Sequence, residues 1–153
     1  MTAVTSYALG LLGLAHKAGK LEIGEEPVGA SCRARHAKAV LLASDAADNT
    51  IRRAQRFSQT AKVPCVQGPF SKAELGWQLG RTSCAVLAIA DNGMAASLLA
   101  KLAQEDPEQF GDAARQLEQA AAKTLQRQKE QARHAKKLHA AGRKPWAAPP
   151  KER

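Results

Sequence analysis

The sequence predicts an α/β fold: a three-layer α/β/α sandwich with a small four-stranded mixed sheet, followed by a basic C-terminal helical extension. Three observations predict it. Two continuous apolar runs of strand length, "AVLLA" at 39–43 and "CAVLAIA" at 84–90, read as buried central strands. Amphipathic stretches with capping signals separate the strand segments, so helix and strand alternate four times. Near residue 105 the composition changes to mostly Ala, Gln, Lys and Arg. Residues 1–104 are therefore assigned to the α/β/α domain, 105–144 to the helical extension, and the Pro-rich 145–153 to a disordered tail.

Each element has a local reason. Residues 5–18 suit a helix with Thr5 or Ser6 as N-cap, Leu11, Leu14 and Ala18 on one face, and Gly19 as its stop. "LEI" at 21–23 is a short strand. Residues 26–35 suit a second helix, with Pro27 in the first turn, where a missing amide is harmless. Asp48 is placed to cap a third helix in which Ile51, Ala54, Phe57 or Ser58, and Ala61 recur at helical spacing; Arg52, Arg53 and Arg56 fall on the opposite, wet side. "VPCV" at 63–66 is a strand whose Pro64 suggests an edge or an end. Ser71 caps "KAELGWQL", which Gly80 stops, and Asp91 or Asn92 caps a helix running to about Leu102.

The extension is rich in good helix formers. Its apolar stripe is thin and mostly alanine. Nine basic residues and two acids lie between Ala113 and Lys144, a net of +7. Three readings stay open for it: a solvated helix, a basic helix lying along a phosphate backbone, and a partner helix.

The 153 residues suffice for one domain, and the formal charge of +9 favours polyanions such as RNA or DNA, or an anionic surface. Aromatic residues make up only 4%, which argues against a single-strand binder built on stacking platforms. Cys32, Cys65 and Cys84 form no metal-ligand spacing and read as reduced, mostly buried thiols. The longest apolar stretch, Tyr7 to Ala15, is too short to cross a bilayer and lacks a basic lead-in, so the expected compartment is cytoplasmic.

Chemistry finds little support. "GLAHKAGK" at 13–20 has five residues between its glycines where a phosphate-binding loop needs four, and Leu21 stands where a magnesium-binding hydroxyl belongs. Gly10 and Gly13 follow no strand and are no dinucleotide fingerprint. His16, His36, His134 and His139 read as surface residues, no nucleophile elbow is present, and no acid pair shows a spacing that demands a role. The expectation is a non-enzymatic protein with no cofactor and no metal. What remains is the strand–glycine–helix edge "LEIGEEPVGA" at 21–30. There Glu25 and Glu26 occupy a helix start that would ordinarily receive an anion. A carboxylate there either stabilises its own helix or accepts hydrogen bonds from guanine donors.

The segments "LLGLAHKAGKLEIGEE", "AKAVLLASDAADNT", "VPCV" with "ELGWQLGR", and "AVLAIADNGMAASL" resemble the ribosomal protein L-seven-Ae/L-thirty-e family, and within it a small bacterial YlxQ-like branch. The resemblance runs from about Tyr7 to Leu102. It implies an α/β/α sandwich that binds RNA, commonly kink-turns with tandem sheared G·A pairs. In the family, a Gly-x-Asn-Glu stretch at the start of the second helix reads guanines, and a lysine one turn on meets phosphate. By position Gly24 matches the glycine, Glu26 stands for the asparagine, Pro27 for the glutamate and Ala30 for the lysine. The family's loop before the last strand corresponds to Gly80-Arg81-Thr82-Ser83.

The resemblance thus implies an RNA-binding site in which Gly24 permits close approach and Glu25 and Glu26 address guanine. Lys20, Arg33 and Arg81 would meet phosphate, and Thr82 and Ser83 sugar or base. The expected partner is rRNA or another structured RNA, with the ribosome as a possible host. The alternatives are a protein-interaction module on the same fold and the RNA-recognition partner of a modifying enzyme.

Overall fold

A computed structural model describes the backbone of residues 3–142 and the side chains of 3–138. The expected tail at 145–153, Arg143, Lys144 and the side chain of His139 lie outside the described residues. The elements run α1 (Ala3–Lys17), β1 (Leu21–Ile23), α2 (Glu25–Arg33), β2 (Ala39–Leu42) and α3 (Asp48–Ala61). Then follow β3 (Cys65–Gln67), α4 (Lys72–Gln78), β4 (Val86–Ile89), α5 (Asn92–Glu105) and α6 (Pro107–Gly142).

The sheet order is β1-β4-β2-β3. β4 pairs antiparallel with both β1 and β2, and β2 pairs parallel with β3, so the sheet is mixed as expected. Side-chain alternation along the central strands builds two cores. Ala39, Leu41, Leu87 and Ile89 join one apolar cluster with α1, α4 and α5, while Val40, Leu42, Val86 and Ala88 join a second with α2 and α3. Burial on both faces explains why these strands read as unbroken apolar runs.

Local capping signals behave as their chemistry demands. Ser71 and Glu74 form a reciprocal capping box on α4, with Glu74 N–H donating to Ser71 Oγ at 3.1 Å and Ser71 N–H to Glu74 Oε1 at 2.9 Å. Asp91 Oδ2 accepts from Met94 N–H at 2.8 Å and caps α5.

Other expectations are corrected. Neither Thr5 nor Ser6 caps α1, which already includes Ala3 and buries Thr5 inside its first turns. The buried stripe of α1 is Ala8, Leu9, Leu12 and Ala15, not Leu11, Leu14 and Ala18; Leu14 is 61% exposed. That helix is apolar nearly all round, so its periodicity leaves the phase open. Asp48 is the first residue of α3 rather than its cap; Ala47 holds the cap position and makes no side-chain bond. β3 begins one residue past Pro64, on the sheet edge.

The compact unit also runs further than residue 104. Phe110, Ala113, Ala114 and Leu117 of α6 are buried in the first core cluster, and Gln109 Nε2 donates to Gln67 O on edge strand β3 at 2.7 Å. The unit closes at Gln119, and the described residues from Ala120 to Gly142 fall in a second one. The composition change near 105 marks the start of α6, not the end of the core.

Candidate nucleic-acid interface

Because β1, β2 and β3 run the same way and β4 runs against them, three strand ends and one strand start meet at one end of the sheet. Gly24 stands there. Its φ of +99° lies where a side chain is strained, and its N–H donates to Val86 O at 3.0 Å. That bond joins the start of α2 to the start of β4. Beside it, Ala43 N–H donates to Ala85 O at 2.9 Å at the end of β2.

The loop Gly80–Ser83 leads into β4 and is held by its own helix. Gly80 turns the chain with φ +71°. Arg81 N–H donates to Gly76 O at 2.7 Å and Cys84 N–H to Lys72 O at 3.0 Å. Gly76 has no room for a side chain, since a Cβ there would lie 2.6 Å from Ser83 Cα and 2.7 Å from Ser83 N. The backbone is fixed while the side chains of Arg81, Thr82 and Ser83 are exposed. A pinned loop with free polar side chains loses little entropy on binding.

The two acids part company. Glu25 is committed to the neighbouring helix: its carboxylate pairs with Arg53 at 2.9 Å and accepts from Thr50 Oγ1 at 3.3 Å. Glu26 is exposed and makes no side-chain bond among the described residues. With Ala30 and Arg33 it forms the exposed face of α2. Arg33, in the last turn, stands about 10 Å along the axis from Glu26 at 1.5 Å per residue.

Lys20 is not gathered with the rest. Its carbonyl accepts from Ala90 N–H at 2.8 Å, beyond the end of β4, so it sits at the opposite end of the sheet from Gly24. Four residues of extended chain separate the two by about 13 Å. Lys20 and Gly24 are close in the chain, but β1 between them keeps them apart. What sequence reasoning missed is α3. Arg52, Arg53 and Arg56 are exposed on the helix packed against α2, Arg52 donates to Asn49 Oδ1 at 2.6 Å, and Arg53 reaches Glu25. Their signal was the arginine cluster on a wet face, which no motif tied to this edge.

Burial raises the thiol pKa of Cys65 and of Cys84 to about 11, and raises that of Cys32 as well, so none is an activated nucleophile. Iodoacetamide at pH 8.5 is expected to label the native protein far more slowly than the urea-unfolded chain. The same shift weakens stability in alkali. Stability is unaffected below the unfolded value of 9.0, falls as pH rises above it because only the unfolded thiols ionise, and the loss is complete once pH passes about 11. Among the described residues no cluster of three or more His, Cys, Asp or Glu gathers as a metal site.

At one sheet end the α/β/α sandwich gathers a glycine turn, a pinned loop with exposed hydroxyls, and guanidinium groups. The chain belongs to the ribosomal protein L7Ae/L30e/S12e/Gadd45 family, whose model matches residues 8–99. It is 42% identical over 88 residues to the RNA-binding protein YlxQ of Enterococcus faecium, covering 58% of this chain and 84% of that one. It is 38% identical over 92 residues to the RNA-binding protein YlxQ of Bacillus subtilis (strain 168), covering 60% and 91%. Among solved structures, a protein of unknown function from Bacillus halodurans C matches with a TM-score of 0.58 at 28% identity, over 62% of this chain and 95% of that one. A Giardia lamblia 15.5kD RNA binding protein shares the fold with a TM-score of 0.54 at 18% identity, over 68% and 91%. The family match ends before α6 begins.

Proposed function

We propose that this chain is a non-enzymatic RNA-binding protein that holds structured RNA, such as a kink-turn in rRNA, at the sheet end around Gly24. The carrying observation is the pairing of Gly24 with the start of β4. It sets the exposed Glu26 and the pinned loop Arg81–Ser83 at the same sheet end in a chain whose relatives are named RNA-binding proteins.

In this reading Gly24 lets an RNA backbone approach closely, and Glu26 accepts from the ring N–H and amino group of guanine. Arg81 and the α3 arginines meet phosphate, and Thr82 and Ser83 meet sugar or base. Glu25 acts at one remove, by holding α3 against the start of α2 through Arg53. Lys20 and Arg33, set back from Gly24, meet only flanking phosphates. Pro27 removes one acceptor that the family pattern supplies, so guanine recognition rests on Glu26.

A gel shift tests the reading with a kink-turn RNA, the same RNA with its G·A pairs replaced, and a plain duplex. Binding ordered kink-turn first supports it, and equal binding to all three overturns the specific site. Co-sedimentation with ribosomal subunits at low salt tests the ribosomal host.

The acids give a paired prediction. Glu25→Gln weakens a half-exposed ion pair and should lower stability by up to about 1 kcal/mol, read from the urea midpoint. Glu26→Gln should leave that midpoint unchanged and weaken kink-turn binding several-fold.

A further inference from the structure

The cations of residues 120–138 lie on one side of their helix. At 100° per residue, Lys123, Arg127, Lys129, Arg133, Lys136 and Lys137 fall within about half the circumference. Glu130 and His134 lie among them. The other half, running from Ala121 through Gln128 and Ala135 to Leu138, holds no ionisable side chain. All six cations are exposed.

This sorting works against the helix alone. Lys123 and Arg127, Lys129 and Arg133, and Arg133 and Lys137 are like-charge pairs at i,i+4, a spacing that destabilises an isolated helix. Among the described residues of this segment no ion pair offsets them; Glu130 accepts only from Gln126 Nε2, at 3.3 Å. A helix that needed only solvation would be better served by spreading the same charges around its axis. Crowded on one side, they are relieved by a polyanion.

Two other partners fit the same surface poorly. A membrane-surface helix needs a broad apolar face opposite its cations, and here that face is Ala, Gln and Thr with only Leu125 and Leu138. A coiled-coil seam through Ala121, Leu125, Gln128, Ala132 and Ala135 is too small and polar to hold a partner helix.

We propose that residues 120–138 form a one-sided phosphate-tracking arm, whose charged half lies along an RNA backbone while its neutral half faces solvent. The proposal rests on the RNA reading above for the identity of the polyanion, and not on the site at Gly24. The arm lies outside the family match, so it belongs to this chain rather than to the shared domain.

The test uses the full chain and two variants of this helix, one with three substitutions and one with six. One removes charge: Lys129→Gln, Arg133→Gln and Lys137→Gln. The other keeps net charge but moves it round the helix, adding Gln128→Lys, Gln131→Lys and Ala132→Arg to the first set. Affinity for the kink-turn RNA and for the plain duplex is measured across a salt series, with far-UV circular dichroism to show that helicity is kept. Removing three phosphate contacts should flatten the log–log salt slope by about 2 to 3 on both RNAs. The redistributed variant should flatten it nearly as much. A wild-type slope in the redistributed variant overturns the one-sided arm and leaves net charge alone as the cause; an unchanged slope in the first variant removes the helix from the interface. Failure of the Gly24 site reads differently, as equal affinity for all RNAs with the slope intact.

Discussion

Truncation after residue 105 is expected to unfold the α/β/α unit, whereas truncation after Gln119 is expected to leave it folded. The first three turns of α6 belong to the core: Phe110 is 4% exposed, Leu117 2%, and Ala113 and Ala114 are buried beside them. Emptying a buried Phe site costs about 3–5 kcal/mol and a Leu site about 2–5. Together that is about 5–10 kcal/mol, against a total stability of roughly 5–15 for a domain of this size. Edge strand β3 would also lose the Gln109 bond that covers it. Urea unfolding followed by circular dichroism checks the pair of truncations, and Phe110→Ala in the full chain isolates the largest piece. A cooperative transition in the protein ending at 105, with an unchanged midpoint, would show that α6 adds nothing to the fold.

Gly76→Ala is expected to be the most damaging single methyl in the molecule. The added Cβ meets the backbone of Ser83 and Arg81, the latter at 2.9 Å from its carbonyl oxygen, and no side chain can swing aside to receive it. The loop must move, at a cost of about 1–3 kcal/mol by analogy with overpacked cores. It carries Arg81, Thr82 and Ser83 with it, so RNA affinity should fall by more than the loss of folded protein accounts for. Gly10→Ala provides the contrast. It sits inside α1 with nothing within 4 Å of the new Cβ, and should raise stability by about 0.5–1 kcal/mol through helix propensity alone. Melting both variants beside the parent, then titrating RNA at a temperature where all are folded, separates the two effects.

The accuracy of the sequence reading followed the range of the interaction behind each feature. Caps at Ser71 and Asp91 are settled within three residues of chain, and both were legible. The strands at 39–42 and 86–89 were legible because two-sided burial leaves no polar interruption. The phase of α1 was not, because several of its faces are apolar and only the sheet decides which one is covered. The site divides in the same way. Gly24 marked the strand–glycine–helix edge, and the Gly80–Ser83 loop was reached through the family resemblance alone. The tie between Glu25 and Arg53 spans two helices and has no local trace, so a carboxylate that holds the scaffold looked like one that reads a base. Lys20 was misplaced because four residues along a strand are near in sequence and far in space.

The placement of β4 bears on how the molecule is made. The last of the four strands to be synthesised lies between β1 and β2 and links the two halves of the sheet. Until it arrives, β1 has no partner, β2 holds only β3, and each exposes an unpaired edge. Local helices form early as the chain emerges, but the sheet cannot close before residue 89 is available, and the first apolar cluster cannot fill before Leu117 is. A ribosome stalled short of that point should therefore carry a protease-sensitive chain, with resistance appearing abruptly rather than strand by strand.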